Sequence, residues 1–216
     1  MGQLTQTTSE VQSDLDRVWP KASGSGIKVD LDAPTFPWVD LIGLIEPDLD
    51  HPSTSPERGV FQTGVNGYIY NTNDILDCKF HIPHDWLPGG DSLFHIHWGN
   101  SSALVENDTF TVTPTATYGS RDGVYGTPIT LDPITYTVGA GGLAQHSHIV
   151  TEVTLSVSGG SANDLDSDDI EVDGLIMVSL VVTSETITGD FFIFTADIHH
   201  QSTGIGTKNN ASPFYT

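Results

Sequence analysis

The segment Ser92-Leu93-Phe94-His95-Ile96-His97-Trp98 carries the strongest strand pattern in this 216-residue sequence. Successive side chains of a β-strand point to opposite faces of the sheet. The aromatic and aliphatic residues at even positions therefore share one face, and His95 and His97 share the other. This pattern predicts a strand that directs an apolar face toward a core and a histidine face away from it.

The sequence on both sides of this segment, from residue 34 onward, has the same character. Short apolar or alternating runs are separated by Gly, Pro, Asn and Asp, and none shows useful helical periodicity. Nine strands are predicted, at residues 38–45, 59–70, 75–82, 92–98, 109–118, 129–138, 148–158, 175–183 and 191–199. Short strands without intervening helices can bury their apolar faces only by packing sheet on sheet or by closing into a barrel.

The connections between these strands are mostly longer than two residues, which favours a jelly-roll or related Greek-key arrangement over a meander. We therefore expect residues 34–216 to form an all-β domain, a jelly-roll-like antiparallel β-sandwich. The single cysteine, Cys78, cannot form an intrachain disulfide and falls between apolar residues at strand spacing, so it is expected in the core. The other predicted core residues are Phe94, Ile96, Trp98, Val153, Leu155, Ile176, Val178, Leu180, Phe192 and Phe194.

Residues 1–33 have a different pattern and are predicted to form a short helix or arm with a tether. A capping-box pattern begins at Thr7 and indicates the start of a helix. Val11, Leu15 and Val18 then give one narrow apolar stripe, and a Ser-Gly segment follows. Because so short a helix is marginal alone, we expect these three residues to anchor the chain to a neighbouring surface.

The charge balance is strongly acidic. Seven Lys and Arg against 28 Asp and Glu give a net charge of −21. A phosphate backbone would be repelled, so nucleic acid is not an expected partner. No apolar run approaches the ~20 residues that cross a bilayer, and residues 1–8 lack the pattern of a signal peptide. We therefore expect no membrane partner and synthesis in the cytoplasm.

Histidine is unusually frequent and clustered. Asp197 and His199 are expected to share a face of their strand, as His95 and His97 do. Imidazoles at this spacing suit Zn, Fe, Ni or Cu, and a carboxylate can act as a ligand or orient one. If the two strands are neighbours, these four residues form a metal site; otherwise the histidines are hydrogen-bonded groups of a sheet surface or subunit interface. Eight of the nine histidines cluster: His81, His84, His95, His97, His146, His148, His199 and His200.

Other signals of metal binding or catalysis are weaker. The acidic run at residues 163–169 resembles the start of a Ca²⁺ loop, but Asp169 and Leu175 stand where an EF-hand has Gly and Glu. A solvated loop is therefore expected there. The sequence has no nucleophile elbow, phosphate-binding loop or His-Glu-x-x-His motif. We expect no catalytic residues and no enzymatic activity; a transition metal or Ca²⁺ is the only cofactor that the sequence suggests.

Three parts of the sequence together resemble structural proteins of tailed bacteriophages. They are residues 4–12 with 15–18, residues 94–98, and residues 197–201 with 204–208. The resemblance covers the two ends of the chain and one central strand. It implies an assembly protein of the virion, because jelly-roll sandwiches in such phages serve as head-decoration proteins, head fibres and tail fibres, usually as trimers.

The first function that this resemblance implies is a capsid decoration or cement protein. Its partners would be the major capsid protein or other virion proteins, and it would assemble as a homo-trimer. In some trimeric phage spikes, His-x-His pairs from three chains surround an iron on the symmetry axis. His95 with His97, or His146 with His148, would take that position here.

Two alternatives remain open. One is a tail or head-fibre component that binds a glycan or receptor, with Trp86 as the first choice of sugar platform and Trp38 as the second. The other is a metal-dependent enzyme similar to the cupins, which also carry His-x-His on a strand, although Glu106 lies too far beyond Trp98 for their pattern. An enzyme predicts a deep pocket around the histidines, a glycan binder an exposed aromatic shelf, and a cement protein an interface through its N-terminal segment.

Overall fold

The secondary structure consists almost entirely of β-strands. The structure is a computed structural model and describes residues 36–48, 53–187 and 189–204. Within these ranges all nine predicted strands are present, three of them each divided into two, and β11 lies outside the predicted set. The thirteen strands are β1 (Trp38–Ile42), β2 (Leu44–Pro47), β3 (Glu57–Gln62), β4 (Val65–Ile69), β5 (Ile75–His81), β6 (Ser92–Asn100), β7 (Thr109–Gly119), β8 (Ile129–Thr130), β9 (Ile134–Thr137), β10 (His148–Val157), β11 (Leu165–Asp166), β12 (Leu175–Glu185) and β13 (Phe191–Gln201).

These strands form two sheets that pack as a sandwich. The seven-stranded sheet has the order β11-β10-β6-β13-β4-β3, and β1 also pairs with β13. The six-stranded sheet has the order β2-β5-β12-β7-β8, and β9 also pairs with β7. The pairings are antiparallel except for the short parallel contact between β10 and β11. The predicted all-β antiparallel sandwich is therefore confirmed.

One hydrophobic core lies between the two sheets. The ring of Phe80 on β5 meets that of Phe94 on β6 with centroids 6.0 Å apart, and Trp98 meets Phe110 of β7 at 4.6 Å. Both pairs are edge to face, which is a favoured arrangement of aromatic rings. The predicted core residues on β6, β10 and β12 are confirmed. Cys78 is also buried as predicted, and burial raises the pKa of its thiol to about 12.

The chain crosses from one sheet to the other at Gly43. This residue separates β1 of the seven-stranded sheet from β2 of the six-stranded sheet. A Cβ atom at Gly43 would lie 2.3 Å from the ring of Phe80, so no larger residue fits without moving the core. The amide of Gly43 donates a hydrogen bond to the carbonyl of Ala196, which ties the crossing point to β13.

A β-bulge on β13 corrects one part of the predicted core. The register against β6 shifts between Ile193 and Thr195, so one extra residue changes which side chains face inward. Phe194 is consequently 39% exposed, and the prediction that it faces the core is wrong. Phe192 is buried but lies opposite Gly99 on the outer face of the sheet, so its predicted inward orientation is also wrong.

The predicted N-terminal helix, with its anchor residues Val11, Leu15 and Val18, lies outside the described residues, so these remain predictions. In the part of the chain that the structure describes, no helix is long and apolar enough to cross a membrane.

Candidate functional site

The outward side chains of β1, β13, β6 and β10 form one polar surface. The register places Asp197 of β13 beside His95 of β6, and His95 beside Glu152 of β10. Asp40 of β1 lies opposite His199 of β13 in the neighbouring row. We call this surface the histidine face and define it by Trp38, Asp40, His95, His97, His148, Glu152, Asp197 and His199.

Asp197 is the centre of the histidine face and is only 4% exposed. His97 Nε2 donates a hydrogen bond of 2.6 Å to its Oδ2, and His95 Nδ1 lies 3.1 Å from its Oδ1. Burial alone would raise the pKa of the Asp197 carboxyl. Hydrogen bonding to His95, together with the charges of His95 and His97, outweighs burial and holds that pKa below its ordinary value.

His95 lies between two carboxylates and is itself only 8% exposed. Its Nδ1 faces Asp197, and its Nε2 lies 3.1 Å from Oε2 of Glu152. Hydrogen bonding to Asp197 raises the pKa of His95, and burial lowers it. The negative charges of Asp197, Glu152 and Asp40 also raise it, so the pKa lies above its ordinary value. Among the described residues, Nε2 is a buried atom without a hydrogen-bond partner of good geometry.

His97 extends the polar contacts to the other side of Asp197. Its Nδ1 lies at a hydrogen-bonding distance of 3.0 Å from Nε2 of His148, and the two rings stack with centroids 5.2 Å apart. An unbroken series of contacts therefore runs from His148 through His97, Asp197 and His95 to Glu152. It crosses three neighbouring strands of the sheet.

A second group of side chains surrounds His199 at the β1 edge of this face. Asp40, His95 and His199 each offer one ligand atom, and these atoms all lie within 4.8 Å of one another. The ring of His199 lies 5.1 Å from that of His95 and 5.1 Å from that of Trp38. Trp38 is 45% exposed, so it presents an open aromatic surface beside this polar group.

Aromatic side chains also occupy the other end of the same outer face. Phe61, Phe192 and Phe194 pack edge to face or stacked, and His146 lies against Phe61. Gly99 makes room for them, because a Cβ atom there would come within 3.0 Å of Phe194 and 3.1 Å of Phe61. The polar centre of the sheet is therefore bounded by aromatic rings at both ends.

The structure brings together the four predicted metal ligands His95, His97, Asp197 and His199, and divides them into two overlapping groups that share His95. Sequence reasoning missed Asp40 and Glu152. Both are carboxylates at outward positions of otherwise apolar or Thr-rich strands, which is a signal that the sequence does contain. What it lacks is the strand pairing that places them beside His199 and His95.

The remaining histidine pairs lie elsewhere. His84 Nε2 and His81 Nε2 are 3.0 and 3.6 Å from Asp173, whose other oxygen accepts a hydrogen bond of 2.7 Å from Arg121. His200 is buried, and burial lowers its pKa.

Trp86 stacks on His200 at 4.5 Å and is only 1% exposed. The prediction of Trp86 as a sugar platform is therefore wrong, because the ring packs under its loop. Trp38 is the exposed one of the two candidates.

Two further features, a groove and the acidic run, lie outside the histidine face. A groove of about 260 Å³ lies on the outer face of the six-stranded sheet, lined among others by Asp77, Met177 and Pro128. In the acidic run, Asp166 and Asp168 accept hydrogen bonds from backbone amides and from Ser158 around a 3₁₀ turn. On the histidine face, His148 is exposed, His97 and His199 are partly exposed, and His95 is buried.

No protein-family model matches this chain, and no curated protein matches it. Solved structures with a similar fold include a xylan-binding module of family CBM15, with a TM-score of 0.38 and 11% identity over 77% of this chain and 97% of that one. Another is the CBM22-1-GH10 part of xylanase 10B from Clostridium thermocellum in complex with xylohexaose, with a TM-score of 0.36 and 13% identity over 76% of this chain. The match spans only 26% of that structure's chain. At these TM-scores the likenesses do not bear on what this chain binds.

Proposed function

We propose that this domain is a non-catalytic binding module that binds a glycan on its histidine face. The observation that carries the proposal is an exposed tryptophan beside a row of fixed polar groups. Trp38 is held against His199, and Asp40 projects from the same face of the same strand. An aromatic ring provides an apolar platform, while carboxylates and imidazoles exchange hydrogen bonds with hydroxyl groups.

The charge of the protein narrows the class of glycan. The chain carries a net charge of −21, and the histidine face itself contains Asp40, Glu152 and Asp197. An anionic saccharide would be repelled by this surface. The hydroxyl groups of a neutral saccharide can instead donate hydrogen bonds to the carboxylates. The proposed ligand is therefore a neutral oligosaccharide or polysaccharide.

The open form of the histidine face favours binding over catalysis. Catalysis by a metal-dependent enzyme is assisted by an enclosed site that excludes water around the reacting groups. Here Asp40, Glu152 and His148 are exposed on a sheet surface, and the groove described above lies on the opposite side of the sandwich. A surface of this form suits an extended ligand laid across the strands.

The biological setting that we propose is the phage virion, as a tail or head-fibre component. Support comes from the sequence resemblance: two of the resembling parts, residues 94–98 and 197–201, belong to β6 and β13, the adjacent strands that build the histidine face. A capsid decoration protein is the second candidate. In both cases residues 1–33 would attach the domain to other virion proteins, in a trimeric assembly.

Glycan binding can be tested with a panel of immobilised neutral and anionic glycans. We expect the full chain to bind one or more neutral glycans, and Trp38→Ala to weaken that binding at least about tenfold, because stacking on aromatic rings dominates such contacts. Tyr125→Ala is the matched control, since Tyr125 is 51% exposed and packs against Gly119 of the other sheet. Equal binding by the two variants, or no binding by the unmodified chain, would refute the proposal.

The virion setting has a separate test. Deleting residues 1–21 should leave a folded, soluble sandwich that no longer joins particles. Full occupancy of the truncated protein on particles would show that the sandwich carries the attachment surface.

A further inference from the structure

We propose that the histidine face contains a binding site for one transition-metal ion, held within a single chain by Asp40, His95 and His199. The class of ion is divalent and of the zinc type. This site differs from the axial arrangement implied by the phage resemblance, because all three ligands come from one copy of the chain. It does not depend on glycan binding, although the two sites would share a surface.

The proton positions on His95 provide the first argument. A neutral imidazole carries one N–H and one lone pair, and a carboxylate can only accept hydrogen bonds. Both nitrogens of His95 lie 3.1 Å from carboxylate oxygens, Nδ1 from Asp197 and Nε2 from Glu152. One of the two contacts therefore requires an added cation, which is either a second proton or a metal ion.

Burial of His95 increases the free-energy cost of leaving one of its nitrogens without a partner. His95 is more than nine-tenths buried, and among the described residues its Nε2 atom has no hydrogen-bond partner of good geometry. A buried polar atom without a partner destabilises a protein, so such an atom needs an explanation. Metal ligation through Nε2 supplies one.

Asp40 and His199 provide the other two ligands of the proposed site. Asp40, His95 and His199 place one ligand atom each within 4.8 Å of one another, and Glu152 lies outside this group. Two imidazoles with one carboxylate form a ligand set that suits Zn²⁺, Co²⁺ or Ni²⁺, with a fourth position left for water. Ca²⁺ and Mg²⁺ prefer oxygen ligands alone, so they are disfavoured here.

Asp197 takes the role of a positioning residue in this arrangement. Metal-bound histidines usually donate their second N–H to a carboxylate, which fixes the ring and the tautomer. Asp197 is buried beside Nδ1 of His95 and also accepts a hydrogen bond from His97. Asp197 therefore orients the ring, and Nε2 of His95 is the nitrogen that we assign to the ion.

A second histidine and carboxylate group in the same protein provides a contrast. His81 and His84 flank Asp173, but the guanidinium of Arg121 already supplies the positive charge there. On the histidine face no Lys or Arg contributes to the described surface. Among the described residues, Arg121 therefore supplies a cation to Asp173, and no Lys or Arg does so for the carboxylates of the histidine face.

The test is titration of the chelator-treated full chain with Zn²⁺, followed by calorimetry and metal analysis. We expect one equivalent of Zn²⁺ per chain and a rise in melting temperature, because an ion that binds only the folded state stabilises it. Asp40→Asn and His199→Gln should each weaken binding at least about tenfold, and Asp197→Asn by about 10- to 100-fold. Asp40 and His199 are exposed or partly exposed, so the first two variants should fold normally.

His81→Gln is the matched control and should bind Zn²⁺ as the unmodified chain does. Trp38→Ala should also keep Zn²⁺ binding even if it loses the glycan, which separates this proposal from the proposed function. Less than one equivalent of Zn²⁺ on the unmodified chain would overturn the site. Equal Zn²⁺ affinity of His199→Gln, Asp40→Asn and His81→Gln would overturn it as well, because the ion would then lie elsewhere.

Discussion

The two outer faces of this sandwich differ in the side chains that form their hydrogen bonds. The outer face of the six-stranded sheet, which we call the threonine face, carries Thr109, Thr111, Thr113, Thr115 and Thr117 on β7. The hydroxyls of Thr109, Thr111 and Thr113 contact other threonines, for example Thr111 with Thr135 at 3.0 Å. The histidine face instead carries imidazoles and carboxylates, two of which are buried.

The difference lies in how each group satisfies its hydrogen-bonding capacity. A hydroxyl can donate or accept by rotating, so neighbouring threonines satisfy one another in any solvent and at any ordinary pH. A carboxylate cannot donate, and an imidazole can donate twice only when it is charged. The histidine face is therefore satisfied only with an added proton, metal ion or ligand. This conditional state distinguishes a candidate site from a solvated sheet surface.

The largest expected effect tests where the core ends and the histidine face begins. Phe94 of β6 is fully buried, whereas the bulge places Phe194 of β13 on the outer face at 39% exposure. Phe94→Ala should lower the free energy of unfolding by about 3–5 kcal/mol, and Phe194→Ala by about 1 kcal/mol. Reversible denaturation measures both. A similar loss in the two variants would show that Phe194 faces the core after all.

The next effect tests whether Asp197 holds the histidine face together. Asp197→Asn removes the charge that two histidines share while keeping the size of the side chain. We expect a loss of about 1–3 kcal/mol in chelator, since hydrogen bonds to charged groups contribute this much. Thr115→Ala on the threonine face should cost less than about 0.5 kcal/mol. If Thr115→Ala lowers the free energy of unfolding as much as Asp197→Asn does, the charged hydrogen bonds of the histidine face contribute no more to stability than the threonine face does.

The effect of Asp197 should also depend on pH. The charged form of His95 stabilises the fold below the ordinary histidine pKa of 6.5, and this contribution is lost as pH rises through the raised pKa of the folded state. The charged form of Asp197 stabilises the fold above the ordinary value of 3.8, and this contribution is lost as pH falls through the lowered folded pKa. The difference between the unmodified chain and Asp197→Asn should therefore be largest between pH 3.8 and 6.5.

Denaturation of both proteins in chelator across this pH range measures that difference directly. The corresponding difference for Thr115→Ala should stay flat with pH, because threonine does not titrate. A flat profile for Asp197→Asn would mean that the charges of His95 and Asp197 do not support each other.

The sequence predicts the faces of single strands well and the partners across strands poorly. Alternation alone placed His95 with His97 and Asp197 with His199, and both assignments agree with the register. It failed at Phe194, because an extra residue in a bulge interrupts a strict period of two without leaving a sequence signature.

Contacts between strands are harder to predict because they join distant parts of the chain. Asp40 meets His199, and Glu152 meets His95, through pairings set by the packing of whole sheets. Trp86 and Trp38 show the same limit, since only the tertiary structure distinguishes a ring under a loop from one on an open face. The virion location and the N-terminal anchor remain predictions.

The smallest expected effect belongs to the threonine face itself. Thr111→Val replaces a hydroxyl by a methyl group of similar shape at a partly exposed strand position, and valine suits β-strands as well as threonine does. The variant loses its contact with Thr135, but water can hydrogen-bond the remaining hydroxyl. We therefore expect the free energy of unfolding to change by less than about 0.5 kcal/mol, with unchanged Zn²⁺ and glycan binding. Denaturation of this variant measures its stability, and titration measures its binding of Zn²⁺ and glycan. If Thr111→Val lost the binding of either ligand, that binding would not depend on the histidine face alone.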